Sequence, residues 1–347
     1  MKPILPAFLS CQGPRLDDKE KRLFERYNPL GVCLFTFGCE NVKNKEQLKA
    51  LIKDILEAVG RDDVLIAVDQ EGGRVRRLLE PEFTPVTAPQ NLTTSLLARE
   101  HAYLVSYDLK SCGVNVNFAP VLDKLYPQTS ASLQGRCFEK YVARLGKSMV
   151  NEYIKNGVCP CVKHMPGHGR AAVDPHLNLP VIDADLYALE KDFAPFKALK
   201  DAPMGMLAHI VLTAVDKDNA ATVSAKVIKN IIRGEIGFEG LLVSDAIVMK
   251  ALQGSISEKA RRSVAAGCEV ICLGNTDFAA NEELCHSGIW LSDEAAERLK
   301  KVQKIIEKPM DFSKYEHIKN NYCTSLKNII SYDYQYDATE VLKRLRK

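Results

Sequence analysis

The side chains that could do chemistry in this sequence sit in polar segments, each directly after a short apolar run. Three of these segments are long: Asp69-Gln70-Glu71-Gly72-Gly73-Arg74-Val75-Arg76-Arg77, Asn117-Phe118-Ala119-Pro120-Val121-Leu122-Asp123, and Lys163-His164-Met165-Pro166-Gly167-His168-Gly169. Two further runs end at His209 and at Ser244-Asp245. Any one such residue could simply form a turn. Acids, imidazoles and cations recurring at successive run ends describe a shared pocket instead. A metal-dependent hydrolase would draw ligands from His164, His168, His176, His209 and Asp174. The HxxxH spacing lies in a Gly-Pro loop, which does not set both rings on one helix face, and the first apolar run carries no His pair. No metal and no other cofactor is therefore expected.

These segments must be held by regular elements. Eight apolar runs, near 4–9, 31–35, 64–68, 114–118, 158–162, 204–208, 240–243 and 270–273, are too short for helices and several are rich in Val and Ile, so they read as strands. Helical periodicity fills much of the space between them. Asn44 caps a helix with apolar positions from Leu48 to Val59, stopped at Gly60. Others end at Gly113 and at Asn156-Gly157, run through Leu186–Leu199, start at the Ser224 cap, span 257–266 before Gly267, and start at the Ser292 cap before Pro309. Strands alternating with helices imply right-handed parallel crossovers, and eight units close into a (β/α)8 TIM barrel, an α/β fold. An open doubly wound sheet is disfavoured because no glycine-rich dinucleotide fingerprint follows the first strand. The barrel is expected over 1–310, with a polar, Tyr-rich helical extension over 311–347 that serves as a packing tail. In such a barrel the active site lies at the carboxyl ends of the strands, which is where the polar segments fall.

The same segments resemble glycoside hydrolase family three, in its β-N-acetylglucosaminidase branch. The branch carries DQEGGRVxRL, NFAPVxD, KHFPGHG followed by D-S-H, and SDDLxM. This sequence has DQEGGRVRRL, NFAPVLD, KHMPGHG followed by Asp174-Pro175-His176, and SDAIVM, in the same order across most of residues 30–275. The resemblance implies a retaining β-N-acetylhexosaminidase that acts on terminal β-linked N-acetylglucosamine from peptidoglycan-derived muropeptides. A β-glucosidase or a phosphorolytic variant of the family remains the alternative. Asp245 matches the nucleophile, a carboxylate that must stay ionised under the anomeric carbon. His176 with Asp174 matches an acid/base pair in which the carboxylate orients the imidazole and stabilises its protonated form. Asp69, Arg77, Arg136, Lys163 and His164 match positions that hold the sugar. His168, between Gly167 and Gly169, is expected to shape a turn. Three departures stand out: Pro175 replaces the usual Ser, Ala246 a second Asp after the nucleophile, and Met165 the usual Phe.

Composition narrows the partners. The chain has 347 residues, 46% hydrophobic and 26% charged, with a net charge of +3. That charge is too small to argue for nucleic acid or an anionic membrane, and the basic end Lys343-Arg344-Leu345-Arg346-Lys347 reads as a solvated helix terminus. No apolar stretch is long enough to span a bilayer. The 11 cysteines show no metal-type pairing. Unpaired thiols and the lack of a secretory pattern at Met1–Leu9 point to the cytoplasm. The expected partner is a small carbohydrate, bound by a monomer or weak homo-oligomer.

Overall fold

A computed structural model of the chain describes residues 2–327; the basic end at 343–347 lies outside the described residues. All eight expected strands form. They are β1 (Leu5–Ser10), β2 (Pro29–Cys33), β3 (Leu65–Val68), β4 (Val116–Asn117), β5 (Cys159–Met165), β7 (Met204–Leu207), β9 (Leu241–Ser244) and β10 (Ile271–Cys272). They pair in parallel in the order β10-β1-β2-β3-β4-β5-β7-β9, and a parallel bridge between Val243 and Val270 joins the two ends. This eight-stranded sheet closes on itself, so among the described residues the barrel has no free strand edge.

Side chains alternate in and out along each strand, and the inward set is apolar at the bottom and charged at the top. Leu65 and Ala67 face the interior cluster, as do Cys159 with Cys161 and Leu241 with Val243. Two residues further on come Asp69, Lys163 and Asp245. The period of two thus carries those three charged groups to the mouth, above a floor that includes Phe8 and Phe118, whose rings meet edge-on at 5.3 Å.

Helices wrap the outside: α2 (Lys45–Val59), α3 (Ser95–Cys112), α4 (Val142–Lys155), α5 (Leu186–Ala198), α6 (Ile256–Ala266) and α8 (Asp293–Ile306). Asn44 and Ser292 cap as expected, and Gly60, Gly113 and Gly267 stop their helices in the left-handed conformation. The expected start at Ser257 is corrected: the cap is Ser255, in a reciprocal capping box with Glu258, while the Ser257 hydroxyl donates to the Glu283 carbonyl. After Ser224 the segment Val227–Glu235 winds as a π-helix.

Two helices escaped the sequence reading. In α1 (Asp18–Tyr27) only Glu20, Leu23 and Phe24 are buried, too narrow an apolar stripe to announce itself. The short α7 (Phe278–Cys285) has little amphipathic pattern. A small parallel pair, β6 (Val181–Ile182) with β8 (Val211–Leu212), also went unseen because each strand has two residues. After residue 310 come a short 3-10 turn, Phe312–Lys314, and α9 (Tyr315–Leu326), which packs along α3.

Candidate active site

A pocket of about 320 Å³ opens at the carboxyl ends of the strands. All eight residues singled out in the sequence line it: Asp69, Arg77, Arg136, Lys163, His164, Asp174, His176 and Asp245. Phe35, Phe118, Met206, Cys33 and Cys272 supply apolar wall and floor.

Lys163 projects from β5 into the centre of an ionic cluster. Its Nζ donates to Asp69 Oδ1 at 2.8 Å and pairs with Glu71 Oε1 at 2.6 Å. Arg77 Nη2 donates to the other Asp69 oxygen at 3.2 Å. Arg136 grips Glu71 with two parallel bonds, both 2.8 Å, the bidentate geometry that a guanidinium fork favours. Lys163 is 2% exposed and Glu71 1%, so these charges persist only because each is paired. Burial pushes the carboxyls of Asp69 and Glu71 up, but Lys163 with Arg77, and Arg136 with Lys163, outweigh it and hold both below the ordinary range. Burial alone would lower the Lys163 ammonium; Asp69 and Glu71 raise it.

Asp123 organises the next segment. Its Oδ2 accepts from His164 Nδ1 at 2.7 Å and its Oδ1 accepts from the His168 amide at 2.6 Å. One carboxylate therefore orients a pocket-lining imidazole and fixes the loop after it, where His168 was expected to shape a turn. The His168 ring also lines the pocket, and burial lowers it to about 4, leaving it neutral at neutral pH. Arg136 Nη2 approaches His164 Nε2 at 3.5 Å, which ties the two pocket-lining groups together.

Asp245 extends β9. Its Oδ1 accepts the Ala246 amide at 2.8 Å. Burial raises its carboxyl, yet His164, His209 and that amide overcome the effect and keep it below the usual value. Behind it, the buried His209 stands 3.2 Å from the Ala246 carbonyl and 2.8 Å from Thr222 Oγ1. It lines the support of Asp245 rather than the pocket.

His176 and Asp174 meet as expected for a dyad. The Nδ1–H of His176 donates to Asp174 Oδ1 at 2.8 Å, and the same oxygen accepts the His176 amide at 2.9 Å. The turn is completed by Leu177 and Asn178 amides donating to the Asp174 carbonyl at 3.0 and 3.1 Å. Proline at 175 is compatible with this turn because its missing N–H is not one of the donors. The other imidazole nitrogen, Nε2, is left for the pocket.

Two residues that matter were quoted within the sequence motifs but given no role, Glu71 and Asp123. The sequence signal for them was an acid at a strand end close to a cation or an imidazole; nothing in it shows which cation each acid meets.

The matching family model is the glycosyl hydrolase family 3 N-terminal domain, over residues 9–305. The chain belongs to glycosyl hydrolase family 3. A β-hexosaminidase of Alkalilimnicola ehrlichii is 36% identical over 298 residues, covering 81% of this chain and 84% of the relative. A family 3 β-N-acetylglucosaminidase from a Paenibacillus superposes with a TM-score of 0.81 at 25% identity, over 92% of this chain and 67% of the other. NagZ of Neisseria gonorrhoeae, solved with N-trifluoroacetyl-D-glucosamine, superposes with a TM-score of 0.80 at 29% identity, over 93% of this chain and 98% of that one. As a member of this family, the chain is a glycoside hydrolase.

Proposed function

We propose that this family 3 enzyme is a retaining β-N-acetylglucosaminidase in which Asp245 is the nucleophile and His176, oriented by Asp174, is the acid/base. One observation carries the reading: an ionised carboxylate and a carboxylate-bound imidazole line the same pocket. In the first step Asp245 attacks the anomeric carbon while His176 Nε2–H protonates the departing oxygen. The C–O bond to the leaving group breaks and an Asp245–sugar ester forms. In the second step His176 Nε2 takes a proton from water, whose oxygen attacks the same carbon and releases Asp245. Two inversions retain the configuration. Asp174 fixes the Nδ1–H tautomer, which directs the shuttling proton to Nε2.

A pocket of about 320 Å³ lies at the small end of ligand sites and suits one sugar ring. Asp69, Lys163, Arg77, Arg136 and His164 present donors and acceptors around that ring. The rest of the substrate stays outside, where we place a muropeptide-derived sugar as the leaving group, consistent with the β-hexosaminidase relatives. No described helix is long and apolar enough to cross a membrane. Ten of the eleven thiols are buried and none is bridged, which supports a cytoplasmic site of action, and we place the enzyme there as a monomer or weak homo-oligomer.

The test is a panel of aryl β-glycosides differing only at the 2-position, run on the wild type and Asp245→Asn. A strong preference for the 2-acetamido sugar, abolished in the variant, is expected. Preference for glucose would move the enzyme to the β-glucosidase side, and an active Asp245→Asn would remove the nucleophile.

A further inference from the structure

The last described helix, α9, lies beyond residue 305, where the family match ends, yet it reaches the sugar-holding cluster through a chain of buried hydrogen bonds. Tyr322, 1% exposed, projects from α9 against His101 of α3, which is fully buried. The Thr87 amide donates to Tyr322 Oη at 3.0 Å. Tyr322 Oη lies 2.9 Å from His101 Nδ1, and His101 Nε2 lies 3.0 Å from the Glu71 carbonyl. The side chain of that same Glu71 binds Arg136 and Lys163.

The protons in this chain follow from the geometry and the burial together. A carbonyl only accepts, so Nε2 must carry a hydrogen. Burial lowers the ring to about 4, so at neutral pH that is its one hydrogen and Nδ1 is bare. An amide only donates, so Oη accepts from Thr87 and gives its own hydrogen to Nδ1. The tyrosine hydroxyl selects the tautomer that lets His101 hold the Glu71 backbone. Contact is close along the whole path: at Gly72, with φ of +111°, a Cβ would stand 2.2 Å from the Thr87 carbonyl and 2.7 Å from the His101 ring. Only glycine lets the Glu71–Gly72 backbone lie against this support. Two further hydrogen bonds fasten the helix in place, from Tyr103 Oη to the Asp311 carbonyl at 2.7 Å and between Thr84 Oγ1 and Tyr315 Oη at 2.9 Å.

We propose that α9 is a strap that tunes sugar binding: Tyr322 is a positioning residue that acts through His101 on Glu71, and through Glu71 on the Arg136 and Lys163 groups that grip the sugar. The proposal rests on the reading that Arg136 and Lys163 hold the sugar. It replaces the packing-tail role with a functional one, and the packing tail is its competitor.

Tyr322→Phe removes one oxygen and keeps the ring in its socket. Without the hydroxyl, Nδ1 has no donor, the imidazole can carry its hydrogen there, and a bare Nε2 then repels the Glu71 carbonyl. Arg136 and Lys163 hold the sugar in ground and transition states alike, so the expected change is in KM rather than kcat. KM, and the inhibition constant of free N-acetylglucosamine, should rise about three- to tenfold, the loss of one net hydrogen bond, with kcat within about twofold. His101→Asn, too short to reach the Glu71 carbonyl, should behave the same way. A packing tail would instead lower Tm and leave KM untouched at temperatures well below it. A double-mutant cycle with Glu71→Gln locates the effect: if Tyr322 acts through Glu71, the double variant should match Glu71→Gln alone. Unchanged KM in Tyr322→Phe, or additive effects in the cycle, would overturn the strap. If Glu71→Gln itself leaves KM and the inhibition constant unchanged, it is the sugar-holding reading that fails.

Discussion

Replacing Lys163 by Met should expose how the ionic cluster works. Lys163 Nζ stands 2.8 Å from Asp69 Oδ1 and 2.6 Å from Glu71 Oε1, at 2% exposure. Met matches the stem but brings no charge, so two buried carboxylates lose their shared cation. Arg77 and Arg136 still neutralise one each. Removing one partner of a buried pair costs about 3–5 kcal/mol. With an unfolding entropy of about 2.1 cal/mol/K per residue, 347 residues give about 730 cal/mol/K, so Tm should fall by about 4–7 °C. The deficit should depend on pH, with a definite sign. In the wild type both carboxyls titrate below their ordinary values, so their stabilisation is present above roughly pH 4 and is lost as pH falls through the folded pKa. Without Lys163 both folded pKa values rise toward or past the unfolded ones, and protonation relieves the unpaired charge. The gap in Tm between wild type and variant should therefore be widest near neutral pH and narrow toward pH 4. Calorimetry at pH 7, 5.5 and 4.5 measures it. An unchanged Tm, or a gap that widens with acid, would refute the assignment of Lys163 as the shared counter-ion.

Other outcomes follow from the same geometry. Asp245→Asn should lower kcat by roughly 10⁴-fold while the fold stays intact by circular dichroism, because the amide cannot form the ester intermediate. His176→Ala should cost about 10²–10⁴-fold in kcat/KM with a poor leaving group and much less with a nitrophenolate, which departs without protonation; equal losses on both substrates would argue against an acid role. His101 and His168 are both lowered to about 4 by burial, and the unfolded chain takes up each proton first, so each should contribute about 3 kcal/mol of stability that is lost as pH drops from about 6.5 to about 4. Urea unfolding should show that slope, and His101→Gln should remove about half of the histidine contribution; a slope unchanged in the variant would argue against a neutral buried His101. Gly72→Ala should destabilise by more than about 2 kcal/mol, because a Cβ would lie 2.2 Å from the Thr87 carbonyl at a φ of +111°.

Much of the molecule can be read from the order of its residues. Strand runs of four to six residues, glycine stops and side-chain caps are local signals, so the eight-unit barrel and the ends of its strands are legible without coordinates. The placing of the candidate site residues is legible for the same reason, since Asp69, Lys163 and Asp245 continue the inward period of two at their strand ends, whereas the roles proposed for Asp245, Asp174 and His176 come from the family resemblance. The helix α1 was hidden by its charge, since only a thin stripe of it touches the core.

The tertiary structure alone decides which charges meet. Glu71 is 65 residues from Arg136, and Asp123 is 41 from His164; no spacing rule joins them, and only closure of the barrel brings β3, β4 and β5 side by side. Tyr322 is 221 residues from His101, so its link to the Glu71 backbone is invisible in the chain order. Local backbone preferences write short-range structure into a sequence. Pairing of buried polar groups depends on folding the whole chain, because each partner is selected by the cost of leaving the other unsatisfied in the interior.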